Sequence, residues 1–176
     1  MAVRTRYSIE DYIALEGEYP DRMFKPDSTG APVEMSPDKI HSFVQSEILF
    51  QLKLWLRNSG LPDYNAGAEL MHRLEEWICQ PDVALVRSEA EDYPLAAPLL
   101  AVEVRSQSNT WREMRAKAAR YLEYGSAMVW LVDPRRQTLE LYRSGEAPRT
   151  LSGDDLIEDG ATLPGFRVTV SELFPE

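Results

Sequence analysis

The sequence predicts a single α/β (α+β) domain in which helices pack on a mixed central β-sheet. Three observations carry this. Short apolar runs at 82–86, 99–104 and 127–132 have the length and composition of buried strands. Two longer segments, about 38–58 and 110–124, read as helices, the first by apolar residues at helical spacing and the second by its closing Gly125. The succession strand 99–104, helix 110–124, strand 127–132 is a crossover unit of the right-handed kind. With 176 residues, 44% of them hydrophobic, the chain is long enough to bury one sizeable core, and residues 1–176 are read as one domain.

The elements follow in order. Ser8 precedes Ile9-Glu10-Asp11 as an N-cap before first-turn acids, so a short helix is expected at about 8–15. Pro20 to Pro32, with Pro26-Asp27-Ser28-Thr29-Gly30 inside it, reads as loop. Val33-Glu34-Met35 is a brief strand. Ser36-Pro37-Asp38 opens the longest helix, which stops at Asn58-Ser59-Gly60. On that helix Val44, Ile48, Leu52, Trp55 and Leu56 form one stripe; His41 falls within it, and Gln45 lies one turn further along the same side. Tyr64 to Leu70 is a strand, and Met71 to Ile78 reads either as hairpin or as strand. Arg87 to Pro98 connects the strands 82–86 and 99–104. Gly125 closes the helix 110–124. Met128 to Val132 is wholly apolar and stops at Asp133-Pro134; Thr138 to Tyr142 alternates and pairs with it through a turn. An acidic turn (Asp154, Asp155, Glu158, Asp159) leads into Leu163-Pro164-Gly165-Phe166 and a last short strand or helix ending at Phe174.

Composition excludes several classes. No apolar run approaches the roughly 18 residues of a membrane span, and Met1 to Arg6 is polar, unlike a secretory leader. The single cysteine, Cys79, allows no internal disulfide and fits a reducing, cytoplasmic setting, where it reads as a small buried hydrophobe. A net charge of −10 argues against a protein that coats nucleic acid non-specifically. The balance is uneven, however. Arg105, Arg112, Arg115, Lys117 and Arg120 face only one acid, Glu113, within the stretch 105–120. That patch suits a local phosphate site, and a solvated helix face would give the same pattern.

The chemistry concentrates in two strands. Gln80-Pro81-Asp82-Val83-Ala84-Leu85-Val86 and Leu99-Leu100-Ala101-Val102-Glu103-Val104 each embed one carboxylate in an apolar run. A buried ionised carboxylate is costly unless it is paired or bound to a metal. Two of them on neighbouring β segments, followed by a Lys/Arg-rich helix, supply what phosphodiester hydrolysis needs. A Mg²⁺ ion takes a few carboxylates together with water and substrate oxygens, and a nearby lysine stabilises charge that develops on the phosphoryl group.

The arrangement Pro-Asp, spacer, strand Glu, then lysine resembles the PD-(D/E)xK nuclease superfamily. The ordered segments Glu34-Met35-Ser36-Pro37 with His41, Gln80 to Val86, Val102 to Ser108, Lys117 with Tyr121, Val129-Trp130-Leu131-Val132-Asp133-Pro134 and Leu163 to Phe166 resemble the Uma-two family of restriction endonucleases, from about Tyr7 to Phe174. The resemblance implies a restriction-endonuclease-like core. It implies Asp82 and Glu103 as ligands of Mg²⁺ (Mn²⁺ in its place), helped by the Val104 carbonyl. Lys117 becomes the catalytic cation, displaced from its usual place two residues after the Glu, where this chain has Arg105. His41 matches the family's histidine. DNA is then the substrate, with Arg105, Arg112, Arg115 and Arg120 on its backbone, and a homodimer, for which Tyr93 to Leu100 offers apolar surface, would cut both strands. The chain departs from the family at Thr29-Gly30-Ala31, where Asp-Gly-Glu is common, and at Ser106-Gln107-Ser108, where Ser-Pro-Ser is common.

Plainer readings stand beside these. Asp82 can simply begin a strand, Glu103 can form a structural ion pair with Arg105 or Lys117, and Lys117 can pair with Glu113 one turn away. His41 can be a satisfied core histidine. Tyr121 reads as packing, Trp111 as packing or a base contact, and Glu47 as solvated or an extra ligand. The alternative function is a catalytically degenerate module of the same fold that binds nucleic acid or a protein partner.

Overall fold

Ser8 caps the first helix, α1 (Ile9–Glu18), through a reciprocal capping box. The Asp11 N–H donates to Ser8 Oγ at 3.3 Å and the Ser8 N–H to Asp11 Oδ2 at 2.6 Å. The helix outlasts the expected 8–15 because nothing stops it before Pro20; the Tyr19 N–H still donates to Leu15 O. Ile9 and Tyr12 bury against Ile78. The Tyr12 hydroxyl donates to Gly30 O at 2.9 Å, which ties α1 to the hairpin that follows. Ser8→Ala should destabilise the chain by about 1 kcal/mol in urea unfolding, the usual cost of a lost N-cap.

The computed structural model describes residues 7–35, 38–59, 61–88 and 91–175. The expected Ser36-Pro37 segment, the Gly60 helix stop and the N-terminal residues Met1 to Arg6 lie outside that set. Among the described residues, no helix is long and apolar enough to cross a membrane.

The segment read as loop between Pro20 and Pro32 contains a strand. β1 (Met23–Pro26) pairs antiparallel with β2 (Pro32–Met35), with Phe24 opposite Glu34 and Lys25 opposite Val33. Its prolines misled the reading: in a two-stranded hairpin with two open edges, a missing N–H need cost no ladder bond. At the turn Gly30 has φ +88°, and a Cβ there would lie 3.3 Å from both Ile78 O and Trp77 Cδ1, so only glycine fits without displacement.

Next comes α2 (Lys39–Ser59), where Asp38 Oδ1 accepts the His41 N–H. β3 (Tyr64–Ala68) is followed by β4 (His72–Leu74) and β5 (Trp77–Cys79), which resolve the ambiguous 71–78 stretch as a hairpin turning at Glu75, φ +43°. β6 (Val83–Arg87) and β7 (Leu100–Val104) precede α3 (Trp111–Glu123), capped by Thr110 and terminated at Gly125, φ +105°. β8 (Met128–Asp133) and β9 (Thr138–Tyr142) match the expected pair. Besides β1, two further strands were not anticipated. β10 (Arg149–Ser152) is a largely exposed edge strand without an apolar pattern. β11 (Leu156–Asp159) carries two of the acids read as a turn; it pairs with β12 (Leu163–Thr169), which runs into a 3₁₀ turn at Val170–Leu173.

The central sheet has six strands in the order β10-β9-β8-β7-β6-β3. Only β7 and β8 run parallel within it, joined by the crossover through α3. The strict alternation of strand side chains divides the interior in two. Val44, Ile48 and Leu52 of α2 pack with Val102, Val104, Trp130 and Val132, and β12 closes this side with Phe166. Met114, Ala118 and Tyr121 of α3 cover Ala101, Val129 and Leu131 on the other. Glu103 alternates onto the α3 side.

Candidate active site

The register of β6 on β7 sets Val83 opposite Val102, and its continuation sets Asp82 opposite Glu103. Side chains at such a pair leave the sheet on the same face. Asp82 is 3% exposed and Glu103 6%. Two carboxylates placed together away from water repel each other and lose their hydration, so each requires a cation.

The fold provides one for each. From α3, Lys117 Nζ lies 3.2 and 3.4 Å from the two Glu103 oxygens, and the Tyr121 hydroxyl one turn later donates to Glu103 Oε1 at 2.9 Å. Tyr121 therefore packs, as its sequence context suggests, and also orients a carboxylate. From the β1–β2 hairpin, Lys25 Nζ sits 2.6 Å from Asp82 Oδ1 and 3.0 Å from Glu69 Oε1. The other Asp82 oxygen accepts the Val104 N–H at 2.7 Å and lies 3.2 Å from His41 Nε2. Gln45, one turn beyond His41 on α2, donates to Asp82 O at 2.9 Å and to Glu69 Oε1 at 3.3 Å.

These contacts separate the two acids electrostatically. Burial raises the pKa of Asp82, but the His41 hydrogen bond and the Lys25 and His41 charges outweigh it and hold the carboxyl well below the usual range. At Glu103 burial prevails over the Lys117 charge, Asp82 adds to the rise, and the carboxyl titrates above its ordinary value. Burial lowers the Lys25 pKa, yet Asp82 reverses the effect and keeps its ammonium charged.

Asp82, Glu103, Lys25 and Lys117 all line one cavity of about 130 Å³, with Asp27 and Glu113 further out. Four carboxylates against two ammonium groups leave its formal charge at −2. His41 is not on this wall; it stands behind Asp82 and positions it.

The remaining expected residues are placed differently. Arg105 turns to Asp133 Oδ2 at 3.1 Å and stacks over Trp111. Arg115 makes two hydrogen bonds to Glu140, at 2.8 and 3.3 Å. Arg120 donates to Ser28 O at 2.6 Å and lies over Trp77. Three of the four guanidiniums thus hold parts of the fold together, whereas Arg112 is exposed. Glu47 accepts from Gln51 of its own helix. Sequence reasoning missed Lys25 and Glu69. Lys25 is hidden in a short hairpin flanked by prolines, and Glu69 follows a strand in a left-handed conformation, φ +53°, that no local pattern announces.

Residues 9–171 match the family described as "Putative restriction endonuclease", Uma2. The chain belongs to this family. Its Uma2 fold is similar to a solved structure described as a putative nuclease belonging to DUF820 from Anabaena variabilis ATCC 29413. The two share 21% identity over 82% of this chain and 86% of that chain, with a TM-score of 0.74. At that identity the likeness is one of fold, and the expected restriction-endonuclease-like core is the one present. No curated protein matches this sequence. The matched Uma2 region contains every residue of the cavity wall.

The donor set decides which metal this Uma2 site could hold. Among the described residues, no group of three or more His, Cys, Asp or Glu side chains is placed to hold one ion. The buried part of the cavity wall carries the carboxylate pair Asp82 and Glu103, with room for water. Hard oxygen donors, few in number, suit Mg²⁺, which retains several waters and binds through one or two carboxylates.

The two histidines report on the fold with opposite sign. Burial lowers the His72 pKa from its ordinary 6.5 and outweighs the opposing hydrogen bond from Nδ1 to Leu70 O at 2.8 Å; among the described residues the buried Nε2 has no partner. Below pH 6.5 the unfolded chain takes a proton that folded His72 refuses. Stability therefore falls as pH drops from that value, by at most about 1.4 kcal/mol per unit, and is flat above it. Burial also opposes the His41 cation, but the hydrogen bond and charge of Asp82 raise its pKa. The stability from charged His41 is complete below pH 6.5 and is lost as pH rises through the raised value. Urea unfolding of His72→Phe between pH 5 and 8 should remove the acid-side slope and leave the His41 contribution.

Proposed function

We propose that this chain is a Mg²⁺-dependent endonuclease hydrolysing phosphodiester bonds in DNA. The observation that carries the reading is the opposed pair Asp82 and Glu103, each matched by its own lysine, on the wall of one cavity of net negative charge. Membership of a family described as restriction endonucleases supports it, as does the nuclease description of the fold neighbour.

Asp82 and Glu103, with the Val104 carbonyl, would hold Mg²⁺ (or Mn²⁺), which supplies Lewis-acid polarisation of a phosphoryl oxygen and a water of lowered pKa. Lys117, 3.2 Å from Glu103 Oε2, holds that carboxylate and presents positive charge to the scissile phosphate. Tyr121, one turn further along α3, fixes the Glu103 rotamer by donating to Oε1. His41 and the Val104 N–H keep Asp82 ionised and aimed at the cavity. Arg112 is the exposed guanidinium at the start of α3 that meets the DNA backbone. The rest of the chain is acidic, so contact is local, and the buried thiol suits a cytoplasmic enzyme. With one centre per chain, cutting both strands calls for a homodimer.

The second reading is a non-catalytic module of this fold. Its support is specific: both carboxylates already have ammonium partners. Supercoiled plasmid incubated with the purified chain separates the two. The enzyme reading expects relaxation with Mg²⁺ or Mn²⁺ that EDTA stops. Intact plasmid under every divalent ion, with the protein folded, would leave the module.

A further inference from the structure

We infer that Lys25 is a resident counter-ion occupying the cation-facing oxygen of Asp82, and that Glu69 is the berth holding Lys25 when a divalent cation arrives. The inference rests on the metal-dependent reading of the site and adds what sets its affinity.

The geometry leaves one Asp82 oxygen in question. Oδ2 is engaged by the Val104 N–H at 2.7 Å and by His41 Nε2 at 3.2 Å. Oδ1 is the oxygen held by Lys25, at 2.6 Å. Lys25, Asp82 and Glu103 line the same cavity. A cation that takes Oδ1 must share it with an ammonium or displace one, and an ammonium beside a divalent ion is repelled by it.

Lys25 has somewhere to go. Its Nζ is 3.0 Å from Glu69 Oε1, so a small rotation of a flexible stem exchanges one carboxylate for the other. Glu69 is fixed for this purpose. Gln45 donates to its side chain at 3.3 Å, Gln80 donates to its carbonyl at 2.8 Å, and its own N–H donates to Asp82 O at 3.1 Å. The Lys25 side chain is 7% exposed and that of Glu69 31%, so the berth lies on the solvent side of the pair. Lys25 and Glu69 are positioning residues: they act on the ion through Asp82.

Opposite consequences follow from removing the two partners. Without the Lys25 charge, Asp82 Oδ1 is free and the cavity more negative, so a divalent cation binds more tightly. Without the Glu69 charge, Lys25 rests on Asp82 alone and the cation binds less tightly. A merely structural role would weaken binding in both variants or leave it unchanged in both.

The test is calorimetry of Mn²⁺ binding to the full chain, for wild type, Lys25→Met, Lys25→Arg and Glu69→Gln, with circular dichroism checking the fold and Asp82→Asn as the blank that locates the site. The expected result is binding tightened about tenfold in Lys25→Met, weakened about threefold in Glu69→Gln and close to wild type in Lys25→Arg, changes of the order that one nearby charge gives. Binding by Lys25→Met alone also supports the inference. If wild type binds Mn²⁺ and Lys25→Met binds equally or less tightly, the inference is overturned while the metal reading stands. Should Lys25→Met fail to fold, Glu69→Gln decides: unchanged or tighter binding overturns the inference. If none of the four binds Mn²⁺, both it and the metal reading fall.

Discussion

Asp82→Asn and Glu103→Gln are each expected to lose metal-dependent plasmid nicking by at least about a thousandfold while staying folded. The size follows from what the carboxylates do: a held divalent ion supplies several kcal/mol of charge stabilisation, and each 1.36 kcal/mol is about a factor of ten in rate. Folding survives for a different reason. Asn at 82 keeps one acceptor oxygen and loses one, so either Lys25 falls back on Glu69 or the His41–Val104 pair loses its partner, at about 1–3 kcal/mol for a group left stranded. Gln at 103 keeps an oxygen for Tyr121 and gives up charge that burial already disfavours. Nicking rates measured with and without EDTA, alongside dichroism spectra, check both halves. Undiminished nicking in either variant would remove Asp82 and Glu103 from the active site.

Lys117→Met should lower kcat by about a hundredfold to a thousandfold and leave KM nearly unchanged, the pattern expected when charge stabilisation made only in the transition state is lost. A structural ion pair makes a competing prediction, since stranding Glu103 in the interior costs stability as well. The double variant Lys117→Met/Glu103→Gln reads the structural part alone: it removes both charges, so thermal stability recovers relative to Lys117→Met, while nicking stays lost with the proposed ligand Glu103. Lys117→Met that nicks at the wild-type rate while folded would make Lys117 a structural partner of Glu103 and nothing more.

The sheet and the two long helices were legible because burial writes itself into sequence there. Val44, Ile48, Leu52 and Trp55 recur at helical spacing, and β7 and β8 are continuous apolar runs. The carboxylate pair was legible for the same reason, as two charges where the pattern demands apolar residues. What escaped notice lies where burial is partial or non-local. β1 alternates weakly between prolines, β10 is exposed, and β11 shares its acids with the turn before it. Lys25 reaches Asp82 across 57 residues of sequence, and no local rule pairs them. Arg105 and the arginines of α3 misled in the opposite direction. Their clustering suggested an open basic surface, but their partners Asp133, Glu140 and Ser28 come from other elements.

The two faces of β7 carry one more consequence. Leu100, Val102 and Val104 enter the apolar layer beneath α2, and Glu103 enters the layer that holds Lys117 and Tyr121. Sliding β7 by one residue would exchange the faces and drive Glu103 among Val44 and Ile48, away from Lys117 and Tyr121. A purely apolar strand at the centre of this sheet would tolerate that error far better. The carboxylate proposed for catalysis therefore also proofreads assembly: it makes the misaligned sheet expensive before any substrate has been met.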